Sequence, residues 1–237
     1  MGIALTLRAR NVRIALALIS ATCFNSAQLL FAYEVPLSPA AIHDAYVLGQ
    51  RNDKATADFL SPYLKQLTEQ GALGPHIAEI EIFTPFAQVV DESRTKSSKG
   101  YTEQKAAEDY HRRGDKVVVV VLIMLAAAYP KPDQNAQGSN SGASASAGEP
   151  NEALRPENFW QNFRFSVKQK GHVIPSRKIR NQPIYSSATK DAPSVLDGAS
   201  VRLEYDAKDV ASEEATVEAV TPEEKNITAV FDLKKLR

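Results

Sequence analysis

The chain has 237 residues, enough for one sizeable domain or two small ones. Its 28 basic and 28 acidic residues balance, which excludes a global charge bias toward nucleic acid or a membrane surface. A single cysteine, Cys23, excludes an internal disulfide framework, so stability must come from an apolar core.

The N-terminus departs from this balance. Arg8, Arg10 and Arg13 precede an apolar segment at 14–24, and the first acid is Glu34. A basic region followed by an apolar one is the layout of a secretory signal. Cleavage after Ala27 or Ala32 is expected, making 1–32 a signal peptide. Removing it takes three arginines and no acid from 28 of each sign, leaving a charge of −3. Cys23 lies inside this segment. Ser20, Ala21 and Thr22 before it fit a lipoprotein signal poorly, so Cys23 reads as an ordinary apolar-region residue.

Residues 33–74 read as a helical hairpin packed on the sheet. Ser38-Pro39 supplies an N-cap and a first-turn proline. Ile42, Ala45, Tyr46 and Gly49 share one face. A second helical stretch begins at Lys54, where Thr56, Phe59, Leu60, Tyr63, Leu64 and Leu67 recur at helical spacing. Ser61-Pro62 predicts a kink or a restart within it.

Residues 75–237 read as a β-rich domain. Ala78, Ile80 and Ile82 alternate with Glu79 and Glu81. Thr84-Pro85 breaks the pattern, residues 86–90 resume it, and 91–100 read as a polar loop. A short helix over 101–112, with Thr102 as cap and Gly114 as terminator, leads into the most apolar run of the chain after the N-terminal segment. That run, 117–128, opens with five valines. At twelve residues it is too short to span a bilayer, which needs ~20. β-branched residues favour a pleated surface, so it reads as the central strand of a sheet covered on both faces. Residues 131–156 are low in complexity and read as a disordered loop.

Further strands follow. Phe159, Phe163, Phe165 and Val167 make an apolar face, and Gly171-His172 signals a turn. Pro175 and Pro183 confine the next stretch to an edge or an irregular connection. Val201, Leu203 and Tyr205 alternate. So do Ala215, Val217 and Ala219, and a turn at 221–226 joins them to Ile227, Ala229, Phe231 and Leu233. About eight short strands predict an α+β fold: an antiparallel β-sandwich-like core with an N-terminal helical hairpin.

Charge is segregated within this domain. From 158 to 190 there are seven basic residues and no acid; from 191 to 224 there are ten acids against Arg202 and Lys208. Arg164, Lys168, Lys170, Arg177, Lys178 and Arg180 are therefore candidate ligand-binding residues for a polyanionic surface. The competing reading is cross-strand neutralisation between the basic and acidic strands.

The candidates for chemistry are sparse. Asp109, His111 and Asp115 offer a histidine between carboxylates, the basis of an alternative reading as a hydrolase or processing enzyme. Residues two apart on a helix do not face each other, and a solvated helix end explains the cluster more simply. Arg113-Gly114-Asp115 spells an integrin-type adhesive tripeptide, although glycine most simply ends a helix there. Glu79 and Glu81 are paired carboxylates on a strand face, the pattern of a half-exposed strand. The four histidines are scattered, so no metal site is predicted, and no cofactor signature is present.

The residues Pro36-Leu37-Ser38-Pro39, Ile42-His43-Asp44-Ala45-Tyr46, Thr84-Pro85-Phe86-Ala87 and Asp109-Tyr110 with Arg113-Gly114-Asp115 together resemble a little-studied family of exported bacterial proteins. The resemblance covers 34–125. It implies bacterial export and carries no activity, ligand or site. The expected function is a non-enzymatic binding or structural protein of the cell envelope, periplasmic or secreted. Its expected partner is an envelope polyanion or a protein, with no nucleic acid and no membrane span after signal cleavage.

Overall fold

The computed structural model describes residues 34–67, 74–126, 158–186 and 196–237. The expected signal peptide with Cys23, and the low-complexity loop at 131–156, lie outside the described residues.

The first helix, α1 (Pro39–Arg51), starts as the sequence dictates. Ser38 Oγ accepts from the Ala41 amide at 3.2 Å, with proline at the first helical position. Asn52 ends it in the left-handed region at φ 45°. Asp53 then caps α2 (Lys54–Leu60) by accepting from the Ala55 and Thr56 amides. The second helix is shorter than its apolar spacing predicts. Ser61-Pro62 turns it into a single 3-10 turn, and Leu64–Gln66 leaves as an extended edge strand, β1.

Strand β2 (Pro75–Phe83) follows, with a register irregularity between Ile77 and Glu79. The irregularity brings Ile77 inward with Ile80 and Ile82, and Ala78 is only half-buried. Strict alternation would have buried Ala78 instead. Residues 86–95 then correct a second expectation. They form helix α3 (Pro85–Thr95), not a strand and a polar loop. Thr84 accepts from the Ala87 amide and Pro85 takes the first turn, the same start signal as in α1. Helix α4 (Glu103–Arg113) is capped by Thr102 and ended by Gly114 at φ 75°.

The valine run is β3 (Lys116–Leu125). The remaining strands are β4 (Arg164–Gln169), β5 (His172–Ile174), β6 (Lys178–Tyr185), β7 (Leu196–Asp206), β8 (Glu214–Val220) and β9 (Asn226–Asp232). They form two antiparallel sheets, ordered β1-β2-β3-β7-β6 and β5-β4-β8-β9. The fold is thus α+β with a sandwich core. β5 and β6 are edge strands, in keeping with Pro175 just after β5 and Pro183 within β6. Lys170 at φ 49° and Gly171 at φ 80° make the tight β4–β5 turn, a conformation in which both central residues need positive φ.

Between the sheets lies one contiguous core. Val117, Val119, Val121 and Ile123 of β3 meet Val167, Val217 and Phe231 of the second sheet. A second apolar cluster lies among the helices: Ile42 and Ala45 of α1 pack with Phe86 and Val90 of α3 and with Ala106 and Tyr110 of α4. The apolar face of α1 is therefore covered mainly by two later helices, whereas Phe59 and Tyr63 reach the core between the sheets. Gly49 makes the α1–α3 approach possible, since a Cβ there would lie 2.3 Å from the Val90 carbonyl oxygen.

The central strand is covered on both faces only at its start. Of its outward residues Val118 is buried, whereas Val120, Leu122 and Met124 are half-buried. The helices sit at one end of the first sheet, and α3 is stitched there by Gln88, whose amide donates to the Phe83 and Lys116 carbonyls. No helix among the described residues is long and apolar enough to cross a membrane.

Candidate functional site

The six basic residues expected to bind a polyanion do not form one surface. Arg164 and Lys168 lie on β4, with Lys170 in the turn that follows, in the second sheet. Arg177, Lys178 and Arg180 lie at and on β6, in the first. Five are ion-paired with the acid-rich segment: Arg164 with Glu224 at 2.5 Å, Lys168 with Glu218 at 2.6 Å, Lys170 with Glu213 at 2.7 Å, Arg177 with Asp206 at 2.7 Å and Arg180 with Glu204 at 3.1 Å. Charge segregation along the chain becomes charge pairing across strands.

The Asp109–Asp115 cluster also separates. Asp109 is only 3% exposed. It accepts from Lys96 at 3.2 Å, from Tyr101 at 3.0 Å and from Arg112. Burial pushes its carboxyl up, but these bonds and the charges of Lys96 and Lys105 outweigh that and hold it below the usual range. It locks α4 to the turn after α3. Asp115 accepts from the Tyr110 hydroxyl, which in turn accepts from the Leu37 amide at 2.7 Å. His111 is exposed and bonds to neither carboxylate. The adhesive tripeptide is likewise engaged internally, with Arg113 donating to Glu92 at 2.8 Å.

The first sheet's outward face presents a different arrangement. Strand pairing sets Leu64, Glu81, Val120, Arg202 and Arg180 in one row across β1, β2, β3, β7 and β6. Two strand spacings separate Glu81 from Arg202, roughly 10 Å. Helix α3 flanks this row. Its residues Asp91 and Arg94, with Glu81 and Ser61, line one cleft of about 400 Å³. Its residues Gln88, Glu92, Thr95 and Lys96, with Arg113 and Arg202, line a neighbouring one of about 310 Å³. Phe83 and Asp91 belong to both, so the two clefts run together into a groove.

The groove is charged at each end. Burial, then repulsion from Glu79 and Asp91, push the Glu81 carboxyl up to about 7, against the opposing pull of Arg94. Arg202 is pushed down, first by burial and then by Arg113 and Arg180, with Glu204 and Glu92 pulling the other way. Neither side chain has a hydrogen-bond or ion-pair partner among the described residues. Glu92, by contrast, is held low: burial raises it, but bonds from Lys96 at 2.5 Å and Arg113 at 2.8 Å prevail. No cluster of three metal-ligating side chains occurs among the described residues.

Glu81 was visible in the sequence as half of a carboxylate pair. Arg202 was visible only as an exception within an acidic stretch. Its alternation with Val201 and Leu203 places it on the outward face, but nothing in the sequence shows that its charge has no direct partner. Gln88 was hidden by the reading of α3 as a strand.

In comparisons with known proteins the chain matches no protein-family model, no curated protein and no solved structure.

Proposed function

We propose that the protein is an exported, non-enzymatic binding protein of the bacterial cell envelope, and that its ligand lies in the groove beside α3. The observation that carries this reading is the row Glu81–Val120–Arg202. It places two ionisable side chains without direct partners on an open, partly apolar sheet face. Buried and half-buried charges are ordinarily paired, as Asp109, Glu204 and Glu92 are here. A pair left unmatched in a concave site is the pattern of groups kept for a ligand.

Export is supported by the basic-then-apolar N-terminal segment, with Arg8, Arg10 and Arg13 ahead of 14–24. The hydrolase alternative requires Asp109, His111 and Asp115 to converge, and their three different surroundings favour binding over catalysis. A polyanion of the envelope is the favoured ligand class, because the cleft at Arg202 is lined by the cations Lys96, Arg113 and Arg202 against the acids Asp91 and Glu92.

The test is fractionation of the full-length protein expressed in a bacterial host, followed by incubation with washed envelope fractions at low salt. Export with saturable, salt-sensitive retention on the envelope is expected. A protein confined to the cytoplasm and indifferent to envelope material would overturn the reading.

A further inference from the structure

The charge balance around Arg202 goes further. The carboxylates whose charge acts most on it are Glu204 and Glu92. Glu204 already binds Lys116 at 2.8 Å and Arg180 at 3.1 Å. Glu92 already binds Arg113 at 2.8 Å and Lys96 at 2.5 Å. Both of these carboxylates thus serve two other cations, and the Arg202 guanidinium lines the 310 Å³ cleft with no direct counter-ion.

Two further polar atoms of the cleft's lining residues have no partner: Arg113 Nη2, a donor, and Gln88 Oε1, an acceptor. Gln88 is 7% exposed. Its amide nitrogen donates to the Phe83, Thr84 and Lys116 carbonyls, which fixes the oxygen as the end left over. The lining residues therefore hold unpartnered guanidinium donors and one unpartnered acceptor, with Arg113 Nη2 and Gln88 Oε1 both buried.

We propose that this cleft is an oxyanion-recognition site, in which Arg202 and Arg113 clamp a carboxylate or phosphate group and Gln88 accepts a hydrogen bond from a hydroxyl beside it. The proposal rests on the binding-protein reading above and names its ligand chemistry. Guanidinium forks suit planar carboxylates and phosphates better than lysines do, because their donors are fixed in a plane. A sugar acid carries a carboxylate with neighbouring hydroxyls. A protonated phosphate carries its own. Both chemistries occur in polyanions, and the cleft has room for one such group.

The experiment uses the full chain, with potassium phosphate in one arm and sodium glucuronate in the other. Ionic strength is held constant with KCl, and binding is read by calorimetry and thermal unfolding. Arg202→Gln removes the clamp, and Lys54→Gln, on the exposed outer side of α2, serves as control. Wild type and Lys54→Gln are expected to bind one equivalent saturably in at least one arm, and the arm that saturates names the source. Arg202→Gln is expected to bind at least tenfold more weakly. Without ligand its melting temperature should equal or exceed that of wild type, since the arginine supports no other side chain.

Failure of both probes to saturate would overturn the proposal. So would unchanged binding by Arg202→Gln. A lower melting temperature for Arg202→Gln, with neither probe stabilising the wild type, would make Arg202 a structural residue and also overturn it. Saturable oxyanion binding without envelope association in cells would leave this site standing and remove the envelope reading. Envelope association that survives Arg202→Gln would remove the site and leave the envelope reading.

Discussion

Replacing Glu81 by glutamine should stabilise the protein, and only at high pH. In the unfolded chain the carboxyl titrates near its ordinary value of 4.5; in the fold it is held up to about 7. Below 4.5 both states are protonated and the side chain carries no charge to desolvate. Between these values the folded state holds a proton that the unfolded state has lost, so stability falls as pH rises. Above 7 the full penalty applies. A displacement from 4.5 to about 7 corresponds to roughly 3 kcal/mol at most. Glu81 is partly open to solvent, so screening reduces this to about 1–2 kcal/mol. Urea unfolding of wild type and Glu81→Gln at pH 4.5 and pH 8 measures it. The variant should gain ~1–2 kcal/mol at pH 8 and differ by less than ~0.5 kcal/mol at pH 4.5. An equal gain at both values would mean that the effect is not ionisation, and a loss at pH 8 would mean that Glu81 has a partner.

Other perturbations probe the scaffold. Gly49→Ala places a methyl group against the Val90 carbonyl, and backbone cannot yield as a side chain does. It should destabilise by about 1–3 kcal/mol despite alanine's better helix propensity, read by chemical denaturation. Asp109→Asn removes the charge that holds Lys96, Tyr101 and Arg112. It should cost roughly 1–3 kcal/mol at neutral pH. Because the native carboxyl is held below its ordinary 3.8, that contribution is present above 3.8 and vanishes as pH falls through the folded value. Denaturation at pH 7 and pH 3 should therefore show the gap between wild type and variant closing in acid.

Much of the fold was legible because its signals are local. Ser38-Pro39 and Thr102 cap helices by direct side-chain bonds, and Lys170-Gly171 makes the turn that positive φ allows. The valine run is central because β-branched residues with no polar interruption have nowhere else to go. Helix α3 was missed because five residues, 86–90, carry no decisive period, and its exposed half resembles a loop. Thr84-Pro85 is nevertheless the same start signal as Ser38-Pro39. Strand β1 was missed because Leu64 continues a helical apolar spacing across Ser61-Pro62, and only pairing with β2 reveals it. The candidate groove was less legible still. Which of Arg164, Arg180 and Arg202 finds a carboxylate depends on cross-strand register, a property of pairs of strands that no single stretch displays.

The account stands most directly on where a ligand touches the protein. Amide chemical-shift mapping of the full-length protein, titrated with solubilised envelope polymer, locates that contact. The account predicts saturable shifts clustered at Glu81, Gln88, Arg113 and Arg202. Shifts confined to β4 and β6, around Lys168 and Arg177, would contradict it and return the site to the basic stretch singled out in the sequence.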